Sequence, residues 1–200
     1  ALLLKDRFDL HLVCATKGER GIPGRSLAET GAIREEEEKK ESRLLGAHLH
    51  FLDRTDRELY ADENTCRHVS DIVRKIMPVA LFTLWPIDRH PDHSAISEIV
   101  MKAVEMAQSP VEIVYGEEGD QQTMLFAPTV YVDISNVIEQ KLDLIRCHAC
   151  QNRNDQLAQH ALKKAVRRGA EAGYAHAEGY RSLPAAGSDA PSILARVRQG

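Results

Sequence analysis

The run Asp88-Arg89-His90-Pro91-Asp92-His93 holds two histidines three residues apart with a carboxylate beside the second. One imidazole of such a pair can bind a divalent metal while the other moves a proton. A neighbouring carboxylate can orient an imidazole through its second ring nitrogen, a role that falls to Asp92 here. A zinc site ordinarily takes three protein ligands and keeps one position open, so this loop cannot complete one alone. The same residues also suit a polar surface loop whose Asp caps the following helix. A second loop, Thr16-Lys17-Gly18-Glu19-Arg20-Gly21, has neither the G-x-G-x-x-G nor the G-x-x-x-x-G-K-[ST] spacing that cradles phosphates, even with Gly24 included. Cys147-His148-Ala149-Cys150 has no partner pair to complete a four-cysteine site, and its place on an apolar helical stripe points to packing.

Both loops follow short apolar runs that read as strands, Phe8 to Thr16 and Val79 to Leu84. Further strands are expected at His48 to Leu52, Val111 to Tyr115 and Thr129 to Ile134. Helices are expected from Glu29 to Leu45, with the run Glu35 to Glu38 as a solvated face, and from Asp62 to Met77, where Pro78 ends the pattern. Another runs from Asp92 to Gln108 and buries Ile96, Ile99, Val100, Ala103, Val104 and Ala107. Asn136 and Glu139 have capping-box spacing for a helix carrying Ile138, Leu142, Ile145 and Ala149 on one stripe. A last helix spans Asp155 to Ala172, with Lys163, Lys164, Arg167 and Arg168 on solvated faces. This alternation indicates an α/β domain around a mostly parallel sheet, in which ligands gather at the carboxyl ends of the strands. Residues 1–180 form the expected domain. Residues 181–200, rich in Pro, Ala, Gly and Ser, are expected to be a mobile tail.

Bulk composition narrows the class. With 200 residues, 43% hydrophobic, the chain suits one core-bearing domain, and a formal net charge of -4 gives no nucleic-acid-binding or polybasic signature. No apolar run approaches the ~20 residues of a membrane span. Four sparsely placed cysteines suggest no disulfide framework, which points to the reducing cytoplasm.

Several of these segments, in order, resemble the LmbE-like (PIG-L) family of zinc-dependent N-acetylglucosaminyl deacetylases across nearly all of the first 180 residues. Thr16 to Gly21 is similar to the loop after the family's second strand, and Gly31-Ala32-Ile33-Arg34-Glu35-Glu36-Glu37 to its Gly-x-x-x-Arg-x-x-Glu helix start. His90-Pro91-Asp92-His93 matches the second metal motif in full. Tyr131 to Ser135, His148 to Gln151 and Ala177-Glu178-Gly179-Tyr180 resemble the closing elements. The family's first motif, His-Pro-Asp-Asp-Glu, is absent. The resemblance therefore implies a Rossmann-like three-layer αβα fold whose first strand, with two zinc ligands and the general base, lies ahead of Ala1. The 200-residue chain alone is then expected to be inactive.

The resemblance further implies one zinc per subunit and a metal-activated water that removes the N-acetyl group of an N-acetylglucosamine-type sugar or conjugate. His93 would be the third zinc ligand. His90, as imidazolium, would stabilise the oxyanion or protonate the leaving amine, with Asp92 holding its ring. Glu19, Arg34 and Asp56 match positions that contact substrate in relatives, although Asp56-Arg57 replaces a frequent Asp-Gly. A homo-oligomer without nucleic-acid partners is the expected assembly. The rival reading is a non-catalytic sugar- or partner-binding module on the same fold.

Overall fold

Ser26 and Glu29 form a reciprocal capping box: Ser26 Oγ accepts from Glu29 N, and the Glu29 carboxylate accepts from Ser26 N. They open helix α1 (Leu27–Leu45), which Gly46 closes in the left-handed conformation. In the computed structural model, which describes residues 1–119, 122–185, 189 and 191–197, α1 follows strand β1 (His11–Thr16) and precedes β2 (His48–Arg54). Then come α2 (Glu63–Ile76), β3 (Ala80–Leu84), α3 (Pro91–Ala107), β4 (Glu112–Gly116) and β5 (Val130–Asp133). After a 3-10 turn at Ser135–Val137 the chain forms α4 (Ile138–Arg146), α5 (Gln156–Ala172), β6 (Ala177–Leu183) and α6 (Ile193–Val197).

The α/β class expected from the alternation is the class observed. Hydrogen bonding divides the strands into two open sheets. β1 and β2 pair in parallel, with His11 opposite His48. The second sheet has the order β3-β4-β6-β5, with β3 and β4 parallel and β4 and β6 antiparallel. The chain groups into two compact units, one from Ala1–Asp56 and Asp133–Glu178, the other from Arg57–Val132 and Gly179–Gly200.

In the first unit Leu4, Leu45, Leu52, Ile138, Leu142, Cys147, Ala158 and Ala165 are buried. Here the charged stretches depart from the solvated faces expected of them. Glu37 accepts from the backbone and thiol of Cys150. Arg168 is buried and donates to both oxygens of Glu171. On the same unit, His11 Nδ1 lies 2.9 Å from His50 Nε2, and the His11 ring stacks on His48 with centroids 4.8 Å apart. The Asn136–Glu139 box does not form. Ser135 instead bonds Asp133, and α4 starts at Ile138 without a side-chain cap.

In the second unit α2 packs on α3 through the buried stripe Cys66, Val69, Val73 against Ile99, Val100 and Ala103. Met77, the expected last residue of this helix, is exposed because the chain turns left-handed there to cap α2. Val100, Ile113 and Tyr115 form a core cluster with Leu81, Trp85 and Val104 around it. Trp85 meets Tyr115 and Phe126 edge-on. β6 continues through residues 181–183, and Ile193 and Leu194 are buried.

Candidate metal and substrate sites

The loop after β3 is organised by a residue to which the spacing argument gave no role. Asp88 has a side chain with 0% exposure. Its Oδ1 accepts from His90 N at 2.8 Å and pairs with His93 Nδ1 at 3.1 Å. Its Oδ2 accepts from Thr123 Oγ1 at 2.9 Å. The Asp88–Thr123 bridge, with Arg89 N donating to Gln122 O and Met124 N to Ile87 O, fastens the loop to the segment after β4. A backbone hydrogen bond and an imidazole on one buried oxygen fix where the ring points.

Pro91 begins α3 with His90 as its N-cap residue, so His90 and His93 both belong to the first turn. Their rings stack with centroids 4.6 Å apart and planes 29° from parallel. Asp88 engages His93 Nδ1, which leaves Nε2 as the ring nitrogen for another partner. His90 Nδ1 is buried and makes no hydrogen bond among the described residues. Asp92, expected to hold an imidazole, faces elsewhere: its oxygens accept from Arg57 N at 2.8 Å and Leu59 N at 3.3 Å. The orienting carboxylate is Asp88, and it acts on His93. Its partner Thr123 lies far along the chain, where no local spacing points to it. The one available signal was a carboxylate five residues before a candidate ligand.

A buried carboxylate fixing one nitrogen of a half-buried imidazole is the usual support for a zinc-ligating histidine. The donor set of the loop thus fits zinc for one ligand, His93, and does not by itself reach the three that a catalytic site takes.

The three expected substrate residues meet on the other unit, around the loop after β1. Asp56 is 7% exposed; its Oδ2 accepts from Arg20 N at 3.0 Å, and its own N donates to Glu19 Oε2 at 3.2 Å. Arg20 Nε donates to Asp56 O, and Arg34 Nε to Lys17 O, both at 2.9 Å. Two glycines permit this closeness. At Gly18 (φ +64°) an added Cβ would lie 2.6 Å from Arg34 Nε, and at Gly31 one would lie 3.1 Å from Glu19 Cγ. Lys17 bridges Glu35 and Asp53 at 2.8 and 3.0 Å, and with Lys39 holds the Glu35 carboxyl down at about 2. Glu19 and Asp56 are thus hydrogen-bonded to each other, while Arg34 bonds the Lys17 carbonyl of the same loop. His90 and His93 stack on each other in the second unit, where Asp92 faces the Arg57–Leu59 backbone instead.

Known proteins resemble most of the chain. The family described as "PIG-L: GlcNAc-PI de-N-acetylase" matches residues 1–104. Diacetylchitobiose deacetylase of Thermococcus kodakarensis is 30% identical over 88% of this chain and 73% of its own. 4-Oxalmesaconate hydratase of Pseudomonas putida is 26% identical over 86% and 73%. Among solved structures, N,N'-diacetylchitobiose deacetylase from Pyrococcus horikoshii, complexed with its inhibitor MPG, superposes with a TM-score of 0.77 at 26% identity, covering 90% of this chain and 75% of that one.

Proposed function

Since the chain belongs to the GlcNAc-PI de-N-acetylase (PIG-L) family, we propose that it is a zinc-dependent hydrolase that removes the N-acetyl group from an N-acetylglucosamine-type sugar or sugar conjugate. The observation that carries this reading is the Asp88–His93 pair, which presents Nε2 for a metal beside the stacked His90 ring. Zinc, when bound, supplies a polarised acetamide carbonyl and a water acidified to a pKa of about 7. His93 would hold the metal, and Asp88 leaves its Nε2 free by engaging Nδ1. His90, as imidazolium, donates to the developing oxyanion or protonates the departing amine nitrogen. Asp92 fixes the Arg57–Leu59 backbone within the same unit. Glu19, Arg34 and Asp56 accept from or donate to sugar hydroxyls. The enzyme acts in the cytoplasm as a homo-oligomer. No helix among the described residues is long and apolar enough to cross a membrane.

Substitution separates the two histidines. His93→Ala loses a ligand and therefore both zinc, by metal analysis, and activity, by amine release from acetylated sugars. His90→Ala keeps zinc and loses about 10²–10⁴-fold in the chemical step. Zinc lost from His90→Ala and kept in His93→Ala would reverse the assignment, and zinc kept in both would end the proposal.

The hydratase relative favours a second reading, addition of water to an unsaturated acid. Both reactions need an activated water, so the zinc readout alone does not choose between them. Amine release from N-acetylated sugars with no turnover of an unsaturated acid supports the deacetylase; the opposite pattern supports the hydratase.

A further inference from the structure

The loop after β1, which carries Glu19, is tied at both ends by side chains from elsewhere in the first unit. At its start Lys17 O accepts from Arg34 Nε at 2.9 Å. At its end Gly21 O accepts from Gln151 Nε2, also at 2.9 Å, across 130 residues of chain. Gly21 N donates to Gly18 O, so the loop also closes on itself as a turn. Between the two ties lie Glu19 and Arg20, the residues that bond Asp56.

Gln151 is itself held in place. The turn after α4 closes where Gln151 N donates to His148 O at 3.0 Å. Cys150, next to it, donates through its backbone N and its thiol to Glu37, at 2.8 and 2.9 Å. The Gln151 amide also lies 3.6 Å from Cys150 Sγ, a longer contact with a weak acceptor. Glu37 stands three residues after Arg34 on α1, so both side chains leave one face of that helix. Helix α1 thus grips the loop through Arg34 and the turn through Glu37, and the turn grips the loop through Gln151. Gly21 leaves room for this last contact: an added Cβ there would lie 3.0 Å from Gln151 Nε2 and 3.0 Å from Gly18 O.

Resting on the deacetylase reading above, we propose that Gln151 is a positioning residue for sugar binding. Its amide fixes the far end of the loop, so Glu19 and Arg20 keep their bonds to Asp56 before a sugar arrives. A loop already ordered costs less to bind with than one that must be ordered on binding. Gln151 touches no reacting atom. Loss of its tie therefore weakens sugar binding and leaves the chemical step assigned to His90 and His93 as it was.

The probe is N,N'-diacetylchitobiose, followed by amine release and, on metal-stripped protein, by calorimetric binding. Gln151→Glu keeps the size of the side chain and removes its donor, and Gln151→Met keeps its length without polar atoms. Each should raise KM about 3–10-fold, the range of one hydrogen bond, at nearly constant kcat. Kd for the metal-stripped protein should rise by the same factor. Gly21→Ala, which displaces the amide from the other side, should act alike. An unchanged KM and Kd in Gln151→Glu overturns the proposal, and so does a fall in kcat at constant KM. Binding without turnover in the unsubstituted protein ends the deacetylase reading alone, and Kd of the variants then decides the role of Gln151. Neither binding nor turnover ends both.

Discussion

Asp88 shows how much of one loop can hang on a single carboxylate. It holds the His90 backbone, the His93 ring and the Thr123 hydroxyl from a position with no solvent exposure. Asp88→Asn keeps the shape but puts an amide where the imidazole expects an anion, so zinc affinity should fall about 10–100-fold in a competition titration with a chelating dye. An unchanged zinc affinity would mean that His93 is oriented by something else. The thiols offer a second test at this scale. Burial, the leading cause at all four cysteines, pushes each thiol up from its usual range; Glu38 adds to this at Cys14 and Glu37 at Cys150. The thiolate is the reactive form, so at neutral pH the native protein should react slowly with a disulfide reagent and unfolded protein rapidly. One fast thiol in the native state would contradict this. The sequence makes His90 and His93 legible because their spacing puts both in one helical turn. It hides Asp88 and Thr123, since nothing local relates residues 35 apart.

Elements whose cause is local were readable, and those whose cause is tertiary were not. Helix α2 and strands β3 and β4 follow from period and punctuation, while α3 starts at Pro91, one residue ahead of the expected Asp92. β6 has no β-branched residue at all and exists through its antiparallel pairing with β4. The Asn136–Glu139 box had the right spacing in the wrong register, since the preceding 3-10 turn moves the helix start to Ile138. Gly18 has a cause of both kinds. Its positive φ alone should cost about 1–2 kcal/mol in Gly18→Ala, and the new Cβ would also displace Arg34. Urea unfolding should show at least that loss, and a neutral outcome would argue against the packing of Arg34 on this loop. Two histidines should leave opposite marks on the pH dependence of stability. Glu41 raises His148 above its ordinary 6.5, so the stabilisation is full below that value and fades as pH rises through the raised pKa. Burial, then the charge of His48, lowers His11, so its neutral form is favoured and stability falls as pH drops below 6.5. Urea midpoints measured across this range should show His148→Gln losing most at the acid end, while His11→Gln flattens the acid-side decline. The reverse pattern would rule out these pairings.

At the scale of the molecule, one carboxylate secures the last described helix. Glu112, buried at the start of β4, accepts from the hydroxyls of Ser182 and Ser192 and from Ile193 N at 2.7 Å, while Ile193 and Leu194 fill the core of the second unit. Glu112→Ala should leave those donors without their acceptor. Limited proteolysis should then cut near Ser192 faster than in the unsubstituted protein; equal rates would show that burial of Ile193 and Leu194 suffices. Composition pointed to mobility here because Pro, Ala and Ser say nothing about an acceptor waiting on a distant strand.

The two compact units are each discontinuous in the chain, and that imposes an order on synthesis. Ala1–Asp56 must wait for Asp133–Glu178 while the whole of Arg57–Val132 is made. At about 5–20 residues per second, the interval is on the order of 4–15 s, long compared with the microseconds in which a helix or hairpin forms. During it the nascent strands β1 and β2 and helix α1 have one another but not α4 and α5. The half-built first unit is therefore a client for whatever shields apolar surface at the ribosome, and its exposure ends only when the last residues of α5 emerge.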